Sequence, residues 1–419
     1  MFNKAYDKYS QFKKKISTFN AVSAHYLYEL ILNKKIKFKI SFISIIIHIF
    51  LLILSLYSIL NSRFKKVNKA QYFVIFDDKL KDPRSINIHK HIVLNSYINF
   101  VRTRSFLTSL KVFFKYPNVV FFQSIFVFSY FVNLRVVNQR SIKDKYQFIS
   151  KIKIFQFKCI EKIFFFLKIK KFIMIDDYRE IQGFIEICEK LKIFSVAYMH
   201  SRFSKFRVAL AYKVFDKYIV WSNFFKKQLL KINPKYKKRI IINNFNFYKK
   251  HINIHHDYNP KKIIILYFFD MYTDFLTIKF YLKKILKNKN FKIYFKIKNN
   301  EYPDKRLLRY ARLNKIFTFK TQSIQNIVDQ IRPHFFMAAN SNVLLEATLY
   351  NCFPVMLKTK NDYSLDLAKN KSVIMLDKKK KIYKFMLKLL KQNSLKERIY
   401  NKIWGSVNNN KYQFKRYVK

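Results

Sequence analysis

At 419 residues the chain is long enough for two domains with full apolar cores, and half of it is hydrophobic, which excludes disorder over most of its length. It carries 84 Lys and Arg against 24 Asp and Glu, a formal net charge of +60, so it repels itself and attracts polyanions: acidic lipid headgroups, nucleic acid or phosphorylated substrates. Lys, Asn, Ile, Phe and Tyr are inflated together while only Gly183 and Gly405 occur as glycines. Nucleotide bias in a genome produces such a skew, so the charge argues modestly for an anionic membrane surface and only weakly for nucleic acid.

In chain order, the first forty residues read as a basic helix, with Tyr6, Tyr9, Phe12 and Ile16 at helical spacing. Residues 41–60 then carry no formal charge and are long and apolar enough for one membrane span. They lie too far in for a cleaved signal peptide, and no small-residue cleavage site follows. Basic residues flank both ends, Lys34, Lys35, Lys37 and Lys39 before and Arg63, Lys65 and Lys66 after, so the positive-inside rule gives no orientation. Two readings stand: a single span, or a buried or interfacial helix packed near the first domain.

From Gln71 short apolar runs alternate with helical stretches. Strands are predicted at 72–76, 119–122, 172–175, 194–199, 218–221 and 240–242, with helices at 180–191 and 222–230. Several of these strands end on polar residues: Asp77, then Asp176 and Asp177, then His200. A polar stretch at 251–260 is the best linker. A second series follows, with strands at 263–268, 291–297, 334–338, 354–357 and 373–376 and helices at 275–286, 324–331 and 380–391. Lys411, Lys415, Arg416 and Lys419 make a basic tail. Alternation of this kind predicts an α/β protein with parallel sheets covered on both faces. The expected division is 1–66, a basic and hydrophobic membrane-associating segment; 67–255, an N-terminal domain; and 256–419, a C-terminal domain. Cys159, Cys188 and Cys352 show no paired spacing, so no zinc site or disulfide framework follows; a reducing compartment is the default, and each fills core volume.

The most informative stretch is 336–357, FMAANSNVLLEATLYNCFPVML. An apolar run meets Asn340, Ser341 and Asn342, an amphipathic segment follows over 343–350, and Asn351 breaks it before the next strand. Ser and Asn are N-cap residues, and the free N–H groups of a helix start suit a phosphate. Glu346, about one turn further in, is placed for a sugar hydroxyl. The plain alternative is a strand–helix–strand unit whose Ser and Asn only cap the helix.

Ser341-Asn342-Val343-Leu344-Leu345-Glu346-Ala347, followed by Asn351-Cys352-Phe353-Pro354-Val355, resembles the nucleotide-sugar motif of GT-B glycosyltransferases, above all those that build bacterial surface polysaccharide. The segment from His200 through Phe215-Asp216-Lys217-Tyr218-Ile219-Val220-Trp221-Ser222 resembles the same family, although Ser201 stands where Gly usually follows the His. Gly is also usual near Cys352 or Phe353, and this chain has none there. The resemblance implies two facing Rossmann-like domains behind a helical, hydrophobic N-terminal extension. It implies a nucleotide-sugar donor whose phosphate meets Ser341 and whose ribose meets Glu346, with Asn340 and Asn342 alongside. It also implies a glycan or lipid-linked acceptor and, with the hydrophobic segment, the cytoplasmic face of the inner membrane.

In open α/β sheets, ligands bind beyond the carboxyl ends of strands, which singles out the polar residues there. Asp176 and Asp177 read as a general base or acceptor-sugar ligand, or as an acidic first helical turn. His200 reads as a group able to take a proton from an acceptor hydroxyl or stabilise a leaving phosphate, or as a structural histidine. Lys296 and Lys298 are candidates for neutralising the leaving diphosphate, and Arg202 and Lys205 for holding acceptor or phosphate; each alone reads more simply as a solvated surface cation. No cofactor is expected, and the resemblance implies that basic side chains and a helix dipole stabilise the leaving group in place of a metal. Walker, dinucleotide, His-Glu-x-x-His and Gly-x-Ser-x-Gly patterns are all missing from the sequence.

The leading expectation is a glycosyltransferase acting at an anionic membrane surface. A CDP-polyol glycerophosphotransferase on the same scaffold is the close alternative, and a nucleotide-sugar epimerase has less use for the hydrophobic segment. From another class, a non-catalytic basic membrane- or nucleic-acid-binding protein also fits the composition, but no nucleic-acid reader motif occurs, so no specific nucleic acid is expected.

Overall fold

Two parallel sheets organise the chain. The computed structural model describes residues 1–16, 19–32, 42–64, 71–77, 97–102, 106–115, 118–132, 141–175, 181–243, 262–269, 274–297, 304–360, 363–378 and 381–405. The first sheet comprises β1 (Gln71–Asp77), β2 (Tyr97–Arg102), β3 (Val119–Phe121), β4 (Ile169–Ile175), β5 (Phe194–Tyr198), β6 (Lys217–Val220) and β7 (Ile240–Ile242), in the order β3-β2-β1-β4-β5-β6-β7. The second comprises β8 (Ile263–Phe268), β9 (Phe291–Lys296), β10 (Thr318–Phe319), β11 (Phe335–Ala338), β12 (Phe353–Leu357) and β13 (Ile374–Leu376), in the order β10-β9-β8-β11-β12-β13. Every pairing among these strands is parallel. Both orders run outward from their first strand and then restart on its other side, the doubly wound order of a Rossmann-like sheet. The switch points fall between β1 and β4 and between β8 and β11.

The chain divides into two compact units, one mainly Ala5–Trp221 with Phe225–Phe247, the other mainly Tyr248–Val407 with Met1–Lys4 and Ser222–Phe224. In the second unit the central strands β8, β11 and β12 are unbroken apolar runs, as a sheet covered on both faces requires, whereas Lys292 and Lys296 interrupt β9. Ile265, Tyr267, Met337 and Val355 from the strands share one core with Ile278, Tyr281, Leu282 and Ile285 of helix Phe275–Leu286 and Met386 of helix Ile382–Leu390. Those four positions on helix Phe275–Leu286 repeat at three and four residues, which aligns them on a single face.

In the first unit helix Ile181–Lys190 crosses helix Ile142–Phe166 at Gly183, where a Cβ would lie 2.5 Å from the Phe157 ring. Glycine is therefore required there by close approach. The rings of Phe157 and Phe172 meet Phe184 at 5.0 and 5.1 Å between centroids and fill the space around the crossing.

The N-terminal reading needs correction. Two helices, Phe2–Lys15 and Ala24–Ile31, replace one, because Asn20 caps the short turn Ala21–Ser23 by accepting from Val22 N at 2.8 Å. The uncharged segment is a helix, Phe42–Phe64, whose stretch Ile45–Ser62 is long and apolar enough to cross a membrane. One of its faces nonetheless packs on the first unit: Ser55 is fully buried and its Oγ accepts the N–H of Phe121 on β3 at 3.0 Å.

Strands β2 and β10 escaped the sequence reading, the first because Asn99 and Arg102 interrupt its apolar run, the second because it is two residues long. Helices Phe106–Lys115, Phe122–Val132, Ile142–Phe166, Lys305–Leu313, Leu365–Lys369 and Asn393–Trp404 escaped it too, since frequent Lys and Phe blur the helical period. The linker at 251–260 and the basic tail lie outside the described residues.

Candidate functional site

The second switch point supplies the most developed site. β8 and β11 are neighbours, and Ala338 ends β11 so that Asn340, Ser341 and Asn342 follow at its carboxyl end. The expected helix over 343–350 is split into a single α-turn, Val343–Glu346, and a 3-10 turn, Ala347–Tyr350. The capping expectation is not met by Asn342: it occupies the cap position in a right-handed helical conformation and makes no side-chain cap bond. Ser341 Oγ makes only a long contact with Val343 N, at 3.4 Å.

The asparagine amides are thus left unspent. Asn340 is 8% exposed, and its buried Nδ2 has no partner among the described residues. The buried Oδ1 of Asn342 and Oγ1 of Thr348 also lack partners among the described residues. Buried polar atoms are nearly always satisfied, so such a group calls for an explanation. Glu346 is half-buried one turn on, and burial, with a smaller contribution from the Glu346 charge, holds the Tyr350 phenol well above its ordinary range.

The rest of the unit fixes this loop firmly. Ser364 Oγ donates to Asn340 O at 3.2 Å, and the Trp404 indole donates to Leu345 O at 3.0 Å from the C-terminal helix Asn393–Trp404. Asn351 takes φ 56°, the left-handed conformation that favours glycine. Asparagine tolerates that region better than other side chains, so the turn closes without glycine. Cys352 Sγ then anchors the next strand by donating to Pro333 O at 2.8 Å.

Lys296, the last residue of β9, also sits at a carboxyl end, two strands from β11 and hence about 10 Å across the sheet. Its reading as a solvated cation is corrected: it is 5% exposed, and its Nζ donates to Ile297 O at 2.7 Å and Lys320 O at 2.9 Å. Burial lowers its pKa. Lys298 lies outside the described residues.

In the first unit His200, Arg202 and Lys205 share the loop after β5. His200 is half-buried. Arg202 is 2% exposed, so its guanidinium is held inside the unit rather than at the surface. Lys205 is exposed and lies over the rings of Tyr6 and Phe206, 5.1 and 5.6 Å from their centroids. Phe203 N donates to Gln228 Oε1 at 3.1 Å and Trp221 Nε1 to Tyr198 Oη at 3.1 Å, which ties this loop to the sheet and its helix. Asp216 works at the opposite strand ends, where its Oδ2 accepts from Ser195 N and Oγ at 2.8 Å and joins the starts of β5 and β6. Asp176 and Asp177 lie outside the described residues. Among the described residues, no group of three or more His, Cys, Asp or Glu side chains could hold a metal ion.

No protein-family model matches the sequence, and no curated protein does. Solved structures do. The UDP-GlcNAc 2-epimerase from Neisseria meningitidis bound to UDP-GlcNAc aligns over 83% of this chain and 99% of its own, with a TM-score of 0.51 at 10% identity. MurG of Acinetobacter baumannii aligns over 83% and 98%, with a TM-score of 0.50 at 8% identity. The chain has the GT-B fold. CalG4, the calicheamicin glycosyltransferase, gives the same TM-score of 0.50 over 80% of this chain and 94% of its own, at 10% identity. At such identities the likeness establishes the GT-B fold and leaves the chemistry to the residues.

Proposed function

We propose that this GT-B protein is a glycosyltransferase that moves a sugar from a nucleotide-sugar donor to a hydroxyl of a glycan or lipid-linked acceptor. The observation that carries the reading is the unspent Asn340 amide at the β8/β11 switch point, with the Ser341 hydroxyl and the Glu346 carboxylate beside it in sequence. A fold that stores a buried donor without a partner accepts a cost that a ligand oxygen would relieve. Ser341 and Asn340 are assigned to donor phosphate and Glu346 to donor hydroxyls. In the transfer the bond from the anomeric carbon to phosphate oxygen breaks and a bond to the acceptor oxygen forms. The acceptor loses its proton, and the nucleoside diphosphate leaves with the negative charge. His200 is assigned to that proton, because imidazole ordinarily titrates near neutrality.

The test is a thermal-shift screen with UDP, GDP, CMP, CDP and their sugars, since a ligand that binds only the folded state raises its stability. One nucleotide class should raise the melting temperature. Asn340→Leu should weaken that nucleotide by about tenfold while the ligand-free protein melts at the same temperature or higher, the buried unsatisfied donor being gone. Unchanged affinity in both Asn340→Leu and Glu346→Gln removes the site. The likeness to an epimerase favours a second reading on the same donor site, and product analysis separates them: an epimerised nucleotide sugar, its bond to the nucleotide intact, in place of a glycosylated acceptor would decide for it.

A further inference from the structure

Helix Phe42–Phe64 has two faces with opposite surroundings. Leu51, Ser55, Ser58, Ile59 and Ser62 are buried, at a spacing that makes one helical stripe. Ser55 is the anchor: its Oγ donates to Leu51 O at 2.7 Å and accepts the Phe121 N–H, Phe121 being the last residue of the edge strand β3. The other face carries Ile46, Ile49, Ile53, Leu56 and Leu60, all 48–57% exposed. It continues onto helix Phe106–Lys115, where Phe114 is 81% exposed, and ring contacts Phe50–Phe106 and Tyr57–Phe113 join the two helices. A contiguous apolar surface of this extent marks a partner.

Charge identifies the partner. None of the 24 acidic residues falls within 30–76 or 83–143, the segments that hold both helices and the neighbouring helix Phe122–Val132. Cations are frequent there, among them Lys34, Lys35, Arg63, Lys65, Lys66 and Lys111. A second copy of this chain would bring the same charge to the surface and be repelled. An anionic lipid surface answers both the apolar stripe and the cations. The serine face decides the orientation. To cross a bilayer, the helix would have to leave β3 and strip the Phe121 N–H of its partner, or draw an open strand edge into hydrocarbon, where each unsatisfied backbone group costs several kcal/mol.

We infer that helix Phe42–Phe64 lies flat in the headgroup–acyl boundary of an anionic bilayer, with Ile46, Ile53 and Leu60 toward the acyl chains, and does not cross it. This conclusion stands apart from the transfer reaction and holds whatever the donor site binds. The three positions are seven residues apart, share one face, and are separated by about 10 Å each along the axis.

The full-length chain carrying Ile46→Trp, Ile53→Trp or Leu60→Trp is bound to vesicles of phosphatidylcholine and phosphatidylglycerol whose lipids are brominated at shallow or deep chain positions. The native Trp221 and Trp404, 5% and 2% exposed, provide a constant background. A flat helix gives the same shallow quenching at all three positions. A span puts residue 53 about 10 Å deeper than the other two and overturns the proposal. Ile53→Asp should lower partitioning onto the same vesicles by about tenfold or more, with an unchanged thermal transition. Failure of the wild-type chain to bind these vesicles, or equal binding to phosphatidylcholine alone, overturns it as well.

Discussion

Asn340 is one of three adjacent polar residues that interrupt an apolar run, and its position after a strand is plain in the sequence. Its amide turning inward and staying unpaired depends on neighbours far along the chain, such as Ser364 holding its carbonyl. The converse holds for Lys296: one lysine among many by composition, it becomes a buried donor to two carbonyls because β9 and the loop after β10 meet there. Asp304 gives a residue-scale prediction. The Arg306 side chain bonds its carboxylate at 2.6 and 3.0 Å, and these bonds hold its pKa below the usual range. The folded value is depressed, so this contribution to stability is present above the unfolded pKa of about 3.9 and is lost as pH falls through the lower folded value. Melting temperatures followed from about pH 5 down to pH 2 should therefore fall less for Asp304→Asn than for the wild type. Parallel curves would show that the pair contributes nothing to acid stability.

Among elements, the helix ends show how a chain with two glycines closes its turns. Neither glycine has positive φ; Lys168, Lys192, Lys315, Lys371, Arg332, Asn118 and Asn351 do. After helix Ile181–Lys190, Ile193 N donates to Cys188 O at 2.8 Å and Lys192 N to Glu189 O at 3.3 Å, the Schellman pattern that commonly uses glycine. The same pair of bonds recurs at Lys315, Asn351 and Lys371. A left-handed non-glycine residue costs on the order of 1–2 kcal/mol, partly offset because glycine is freer in the unfolded chain. Exposed Lys192→Gly should therefore stabilise the protein by about 0.5–1 kcal/mol, read as a higher denaturant midpoint at unchanged slope. A lower midpoint would mean that the lysine side chain contributes more than its backbone strain costs. Those C-terminal glycine signals are missing from the sequence, which is one reason helices such as Lys305–Leu313 were not legible in it.

Across the whole molecule, the net charge of +60 outweighs every local ion pair. Its self-repulsion acts over a screening length of about 30 Å at 0.01 M salt and about 8 Å at 0.15 M. Sodium chloride added across that range should raise the melting temperature, whereas a flat or falling curve would show that the cations are already locally compensated. The alternation of strands and helices, the late Ser-Asn motif and the uncharged N-terminal segment were all readable in the sequence, because each is a local pattern of apolar and polar residues. Burial and partnership were not. Whether Asn340 is satisfied, whether Lys296 meets water and which face of helix Phe42–Phe64 stays open depend on which distant backbone arrives beside them. The sequence by itself determined the α/β class and the place where a ligand would be sought. Only the tertiary structure decided which side chains remain unspent there and that Ser55 fixes the apolar helix to a sheet edge, since side-chain satisfaction is a property of pairs and the sequence states only one partner at a time.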